Sequence, residues 1–349
     1  MNDTRFPRLT RDAMLLASLV VLIAGARIAA PIIVPVLVAG VLSIICATPT
    51  SWLTSHRVPA PLAVSAVMIG LLAVSFLALA VIGTSLAELS TDLPVYQATL
   101  RDRTRDVAGW LGERRIEVSD QVLQDLFNPN RILRVVGTLA SGLGGLLGSI
   151  VLVLLTTVFV LLEMSDFPAK TLAGARHPQR TLDDLHRVTD NVKRYMALKT
   201  LISLATGVSV SIWLTLIGVR YVLLWGALAF LLNYIPNIGS IIAAIPAILL
   251  AYLQLGLGGA IATAAGYLVI NTVIGNFIEP RLFGREVGLS TLVVFLSLVF
   301  WGWVLGPVGM LLSVPLTMIV KIGLEASEQT RWVAILLGNR VSIDEATST

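Results

Sequence analysis

Charged residues and cysteines are scarce in this sequence. Only 13% of its 349 residues are charged, whereas 56% are hydrophobic and the formal net charge is +4. Soluble domains carry about 25% charged residues, so the composition excludes an ordinary soluble domain. The absence of a lysine/arginine block argues against a nucleic-acid partner. The single cysteine, Cys46, excludes an intrachain disulfide and a cysteine-based zinc site.

Motifs of the common enzyme classes are missing as well. The sequence contains no His-Glu-x-x-His, no Gly-x-Ser-x-Gly and no cluster of carboxylates inside its apolar runs. The three histidines, His56, His177 and His186, all fall in polar stretches, which argues against a proton relay through a membrane. We therefore predict a protein that is not an enzyme, with no cofactor and no metal site.

Long apolar runs fill most of the chain. Several reach or exceed the roughly 18–20 residues that an α-helix needs to cross a bilayer. We predict an all-α, polytopic membrane protein with about eight transmembrane helices and broken helices in its C-terminal half. The predicted organisation is three transmembrane helices in 1–84, a polar amphipathic helical insertion in 85–136, a fourth transmembrane helix in 137–163, a basic linker helix in 164–196, a transmembrane core of helices five to eight in 197–324 and a C-terminal tail in 325–349.

Basic residues predict the orientation in the membrane. Arg5, Arg8 and Arg11 precede the first apolar run, and Lys321 and Arg331 lie at the end of the last run and beyond it. Because lysine and arginine accumulate on the cytoplasmic side, we expect both termini in the cytoplasm and the polar insertion outside. The side of the loop 280–288 stays open at this stage.

Helix-breaking and polar residues interrupt the last third of the chain. Its predicted spans lie at about 221–252, 258–279 and 289–322, the first broken near Pro236 and the third near Pro307. Lipid cannot satisfy a free backbone group, so such breaks are tolerated only against protein or a wet cavity, and they point to a transport pathway. The candidate pathway residues at the two breaks are Asn233, Pro236, Asn237, Gly239, Gly306 and Pro307.

Further candidates lie between the two breaks. Asn271 and Asn276 can hydrogen-bond a polar solute or offer carbonyl oxygens to a cation, but interhelical hydrogen bonding explains them equally well. Glu279 and Arg281 form an ionisable pair that either carries protons or fixes the loop by a salt bridge. Lys199 is interpreted as an anchor at the inner membrane surface.

Three sequence blocks together resemble the hallmark blocks of the autoinducer-2 exporter (AI-2E) family of predicted permeases. They are the turn 233–239, Glu279-Pro-Arg281 with the glycine-containing stretch 283–289, and the block 306–315. The order of elements matches over nearly the whole chain. The resemblance implies an eight-span transporter of the bacterial inner membrane that forms homo-oligomers. Members of the family are linked to export of autoinducer-2 or to sodium(lithium)/proton antiport.

These observations lead to one main hypothesis and two alternatives. We expect a transporter, embedded in the lipid bilayer, that moves a small polar solute such as an autoinducer-2-like signal, with outward direction. The first alternative is an antiporter that exchanges a monovalent cation for a proton, with Glu279 as the titrating group. The second is a membrane scaffold without transport activity, which binds a partner through the insertion.

Overall fold

A computed structural model describes most of the chain as a set of helices. The described residues are 8–113, 150–163, 178–236, 238–283, 288–325, 328 and 330–338. Within these ranges the regular elements are all helical and no strand occurs, which confirms the predicted all-α fold. The helices are α1 (Arg8–Ile28), α2 (Ala30–Ser55), α3 (Ala60–Glu113), α4 (Ile150–Glu163), α5 (Pro178–Ile217), α6 (Val222–Leu232), α7 (Ile238–Asn271), a π-helix (Thr272–Ile278), α8 (Glu279–Phe283), α9 (Thr291–Leu311), α10 (Ser313–Glu325) and α11 (Arg331–Leu337).

Five of the described helical segments are long and apolar enough to cross a membrane. They are Ala30–Ser55, Ala60–Asp92, His186–Ile217, Ile238–Phe283 and Thr291–Leu311, and Leu152–Glu163 and Val222–Leu232 are shorter apolar helices. Large apolar side chains such as Ile69, Phe76 and Leu216 are exposed on these segments, as expected for surfaces that contact lipid. The count of eight spans remains a prediction, because the start of the predicted fourth span lies outside the described residues.

The predicted insertion begins inside a helix. α3 continues without a break through the predicted boundary at residue 85 and ends at Glu113, with Pro94 in its interior. Leu89 and Tyr96 on this continuation are buried, as the amphipathic pattern predicts. The rest of the predicted insertion, 114–136, lies outside the described residues. In a similar way, α5 joins the predicted linker helix to the fifth span in one element.

The described residues belong to two compact units. Unit 1 is drawn from 1–64, 152–196 and 285–349, and unit 2 from 65–151 and 197–284. The break near Pro236 therefore belongs to unit 2, and the break near Pro307 belongs to unit 1.

Three helical segments form the centre of unit 2: α5, and a hairpin made of α6 and the first half of α7. α6 runs antiparallel to α5, and the two backbones approach closely where Gly207 meets Gly226: a Cβ on Gly207 would lie 2.7 Å from the Gly226 carbonyl oxygen. After the turn at 233–236, the chain returns along α7. Small residues at a helix crossing allow this approach, as in other membrane helix pairs.

The chain reverses direction at two glycines with left-handed φ. Gly256 has φ 73° and ψ −163°, and Gly306 has φ 72° and ψ −155°. Both lie in the sequence Leu-Gly-x-x-Gly, at 255–259 and 305–309. A side chain is strained in this conformation, so glycine is required at both corners. Gly256 lies in the gap predicted between the spans 221–252 and 258–279, and it makes the corner there.

Candidate functional site

α6 and the first half of α7 form a hairpin. α6 begins, and the first half of α7 ends, near the C-terminal end of α5. At the base of the hairpin, the Arg220 backbone N–H donates a 3.0 Å hydrogen bond to Gln254 Oε1, which joins the loop before α6 to the end of the first half of α7. Its tip reaches Ser203, roughly 21 Å along α5 from Ile217 at 1.5 Å per residue. A bilayer core is about 30 Å thick. The tip therefore lies well inside the span rather than at the end of α5.

Polar side chains meet at this tip. Asn233 Nδ2 donates a 3.0 Å hydrogen bond to Ser203 Oγ, and the hydroxyls of Tyr234 and Thr200 lie 2.7 Å apart. Ser203 is fully buried, and Asn233 is half-buried. Amide and hydroxyl groups are buried at this depth without a large free-energy cost only when they form hydrogen bonds. The predicted polar break is thus held against a polar face of α5.

Tight backbone packing closes the turn. Ile238 N–H donates to the Pro236 carbonyl oxygen at 2.6 Å, and Gly239 N–H donates to the Ile235 carbonyl oxygen at 3.3 Å. A Cβ on Gly239 would collide with the Leu232 carbonyl oxygen, so only glycine fits. Pro236 is half-buried. Asn237, another predicted pathway residue, lies outside the described residues.

An ion pair lies one turn of α5 from this cluster. Lys199 Nζ is 2.6 Å from Glu279 Oε1, the Lys199 side chain is 4% exposed, and the Glu279 side chain is 27% exposed. The structure therefore pairs Glu279 with Lys199, whereas the sequence suggested Arg281, which is exposed. Sequence reasoning placed Lys199 at the membrane surface and missed its burial. One feature of the sequence could have predicted this burial: the spacing of Lys199, Ser203 and Thr206 places these polar residues on one helical face.

The π-helix carries the remaining predicted amides. Asn271 is half-buried at its start, and Asn276 is exposed within it. Their different exposure agrees with the expectation that they need not face one cavity. Single-turn π-helices occur often at functional sites, and this one ends directly before Glu279.

The break in unit 1 has a polar core of its own. Trp301 Nε1 donates a 3.0 Å hydrogen bond to Thr317 Oγ1, which lies 2.8 Å from Ser297 Oγ. Gly306 makes the corner, and Pro307 after it is exposed. These hydrogen bonds join the two arms of the corner and satisfy the buried hydroxyl of Thr317.

A second polar cluster holds the base of the hairpin. Asp92 on α3 accepts a hydrogen bond from the Tyr221 hydroxyl and forms an ion pair with Arg220. Gln254 Nε2 donates a 2.8 Å hydrogen bond to the Tyr96 hydroxyl. The Tyr221 phenol is the donor of this hydrogen bond, and the Asp92 carboxylate is the acceptor. The cluster joins α3 to the base of the hairpin.

Comparison with known proteins decides the family. Residues 16–329 match the family model described as "AI-2E family transporter". The chain belongs to the AI-2E transporter family. Its curated relatives include the AI-2 transport protein TqsA of Escherichia coli (strain K12), which is 43% identical over 326 residues, 93% of this chain and 95% of the relative.

Other relatives carry less specific names. A putative transport protein of Haemophilus influenzae is 40% identical over 340 residues, 95% of this chain and 97% of the relative. The putative transport protein YhhT of E. coli (strain K12) is 40% identical over 323 residues, 93% of each chain. This AI-2E protein is therefore a multi-pass membrane transporter, a class distinct from enzymes.

Proposed function

We propose that this AI-2E protein exports a small polar solute of the autoinducer-2 kind across the bacterial inner membrane. The observation that carries the proposal is the hairpin tip, where Asn233 meets Ser203 deep along α5 beside the pair of Lys199 and Glu279. The name of TqsA supports the choice of solute, because that relative is named as an AI-2 transport protein.

The tip offers the chemistry that a polar solute needs inside a membrane. Amide and hydroxyl groups both donate and accept hydrogen bonds, so a solute with several hydroxyls can insert between Asn233 and Ser203 and bond to both side chains. A break of this kind is common where transporters bind their solutes. Pro236 and Gly239 shape the turn in this proposal, and Asn237 stays a predicted pathway residue.

Other predicted features complete the proposal. With both termini in the cytoplasm, the pair of Lys199 and Glu279 lies toward the inner side and Asp92 toward the outer side. The corner residues Gly306 and Pro307 stay predicted pathway residues of unit 1. Homo-oligomer formation follows from the family resemblance alone.

Efflux from reconstituted vesicles tests the proposal. Asn233→Leu removes the amide while keeping a similar side-chain volume, and we expect autoinducer-2 efflux to fall at least about tenfold, the loss of roughly one hydrogen bond of 1.4 kcal/mol. Thr215→Val is the matched control, since the Thr215 hydroxyl is exposed and bonds only within its own helix to the Ser211 carbonyl oxygen. Efflux that is equal in both variants and the wild type would remove the site.

Cation/proton antiport is a second candidate, favoured by the pair of Lys199 and Glu279. The carboxylate is the more exposed partner, so a cation or a proton can reach Glu279 from the solvent. In this candidate the cation replaces the ammonium at the carboxylate.

A sodium pulse on vesicles with an internal pH dye tests this second candidate. We expect proton movement in the wild type and none in Glu279→Gln. The control is Asp190→Asn, an exposed carboxylate on α5. An absence of proton movement with sodium and lithium in the wild type eliminates antiport.

A further inference from the structure

Buried hydroxyls without partners occur in the hairpins that flank the two glycine corners. Among the buried side-chain nitrogen and oxygen atoms of the described residues, those without a hydrogen bond are Thr263 Oγ1, Tyr267 Oη and Ser313 Oγ. Thr263 is fully buried, and Tyr267 is 3% exposed. A buried hydroxyl that has lost water and gained no partner costs free energy, so such groups need an explanation.

Two of these hydroxyls share one face of α7. Thr263 and Tyr267 are four residues apart in the second half of the helix, one turn and two turns after Gly259. A Cβ on Gly259 would lie 3.2 Å from the Ala251 carbonyl oxygen, which fixes the register of the two halves of α7. Four residues after Gly259 the chain reaches Thr263, and four residues before Ala251 it is at Ala247. Because the two halves run in opposite directions, Thr263 lies opposite Ala247.

The facing stripe has no polar side chain to offer. Ala243, Ala247 and Ala251 follow each other at four-residue spacing, and all three are fully buried in one apolar cluster with Tyr267. A methyl group can neither donate nor accept a hydrogen bond. The stripe therefore leaves both hydroxyls unsatisfied.

The equivalent corner in unit 1 shows the alternative solution. Counting from Gly306, Ser313 and Thr317 occupy the positions of Thr263 and Tyr267, and Ser297 and Trp301 occupy the positions of Ala247 and Ala251. There, Ser297 and Trp301 contact the Thr317 hydroxyl at 2.8 and 3.0 Å. Unit 1 thus supplies internal partners for Thr317, the counterpart of Tyr267, at the positions where unit 2 has alanine, whereas Ser313, the counterpart of Thr263, also lacks a partner.

We propose that the hydroxyls of Thr263 and Tyr267 form a binding subsite for a small, uncharged, hydroxylated solute. This inference rests on the proposed transport function and specifies the class of solute. Hydroxyl groups of such a solute can both donate to and accept from the two side chains. Neither hydroxyl carries a charge, so an ionic solute bound by these two side chains would be buried without a counter-charge from them.

Binding to the purified full-length protein in detergent tests the inference apart from transport. The probe is erythritol, an uncharged tetrol, and erythronate is its charged counterpart. We expect erythritol to raise the melting temperature of the wild type. In Thr263→Val and Tyr267→Phe its dissociation constant should rise at least about tenfold, the equivalent of one hydrogen bond.

Two further variants separate binding from structure. Ala247→Ser introduces the hydroxyl that unit 1 has at Ser297, where it contacts Thr317. It should therefore give Tyr267, the counterpart of Thr317, an internal partner and weaken erythritol binding. Ser297→Ala in unit 1 is the control and should leave binding unchanged. Without solute, Thr263→Val and Tyr267→Phe should be at least as stable as the wild type, because they remove unsatisfied groups.

Three results would overturn the inference. They are lower stability of Thr263→Val or Tyr267→Phe without solute, equal stabilisation of all variants by erythritol, and binding of erythronate as tight as that of erythritol. The second is also the result expected if the hydroxyls hold only water. Vesicles without solute flux would refute the proposed transport function instead, since the binding measurement needs no flux.

Discussion

The pair of Lys199 and Glu279 predicts an unequal effect of removing its two members. Breaking a buried ion pair by removing one partner costs about 3–5 kcal/mol, because it leaves an uncompensated charge. Lys199 is 4% exposed and Glu279 is 27% exposed. Glu279→Gln leaves the ammonium almost without water, so we expect a loss within this range, about 3–4 kcal/mol. Lys199→Met leaves a carboxylate that water partly reaches, so we expect about 1–2 kcal/mol.

The double variant completes the thermodynamic cycle. Lys199→Met with Glu279→Gln removes both charges, and replacement of both partners of a buried pair is often close to neutral. The two single losses add up to about 4–6 kcal/mol; we expect the double variant to lose only about 2–3 kcal/mol, less than Glu279→Gln alone, which is a coupling free energy of about 2–3 kcal/mol. Unfolding in detergent followed by tryptophan fluorescence measures these differences.

Two results would refute this reasoning. One is a larger loss for Lys199→Met than for Glu279→Gln, which would mean that the carboxylate is the less solvated partner. The other is additivity of the two single losses in the double variant, which would mean that the side chains do not interact. Asp190→Asn on the exposed face of α5 is the control and should change stability by less than about 0.5 kcal/mol.

Three further predictions concern the hairpin and its corners. Gly239→Ala should destabilise the protein by about 2–4 kcal/mol in the same fluorescence assay, since its Cβ collides with a carbonyl oxygen; an unchanged midpoint contradicts the described turn. Gly256→Ala should lower stability by about 1–3 kcal/mol because of its positive φ, whereas Gly258→Ala, with open space at its Cβ, should not; equal effects would refute the corner. Asp92→Asn should accelerate hydrogen exchange at the backbone of Arg220, since the ion pair is lost; unchanged exchange would show that the cluster does not hold the loop.

The breaks in the C-terminal half could be predicted because their causes are local. Proline lacks a backbone donor, and glycine tolerates positive φ, so Pro236 and Gly306 mark interruptions in any apolar helix. The all-α fold follows in the same way from the length of the apolar runs. No proline follows Gly256, so the sequence signal for this corner is weaker than that at Gly306. The sequence indicated the corner only as a gap between two spans.

Partners distant in the sequence could not be predicted. Lys199 and Glu279 are brought together by the packing of α5 against the end of the π-helix, which no local pattern encodes. Arg281 was the obvious partner because it is two residues away, yet it is exposed. The Ser203 partner of Asn233 was missed for the same reason. Only the antiparallel register of α5 and α6 reveals that contact.

Thiol accessibility at the hairpin tip tests the central claim most directly. In a Cys46→Ala background, which removes the single native cysteine, Asn233→Cys is compared with Leu204→Cys, a residue beside Ser203 that is exposed on the apolar surface of α5. If the tip lines a hydrated path, a water-soluble thiol reagent modifies the cysteine at 233 in vesicles, the solute slows this reaction, and the cysteine at 204 stays unmodified. Equal modification at both positions, or an unreactive cysteine at 233, would contradict a polar pathway at the tip.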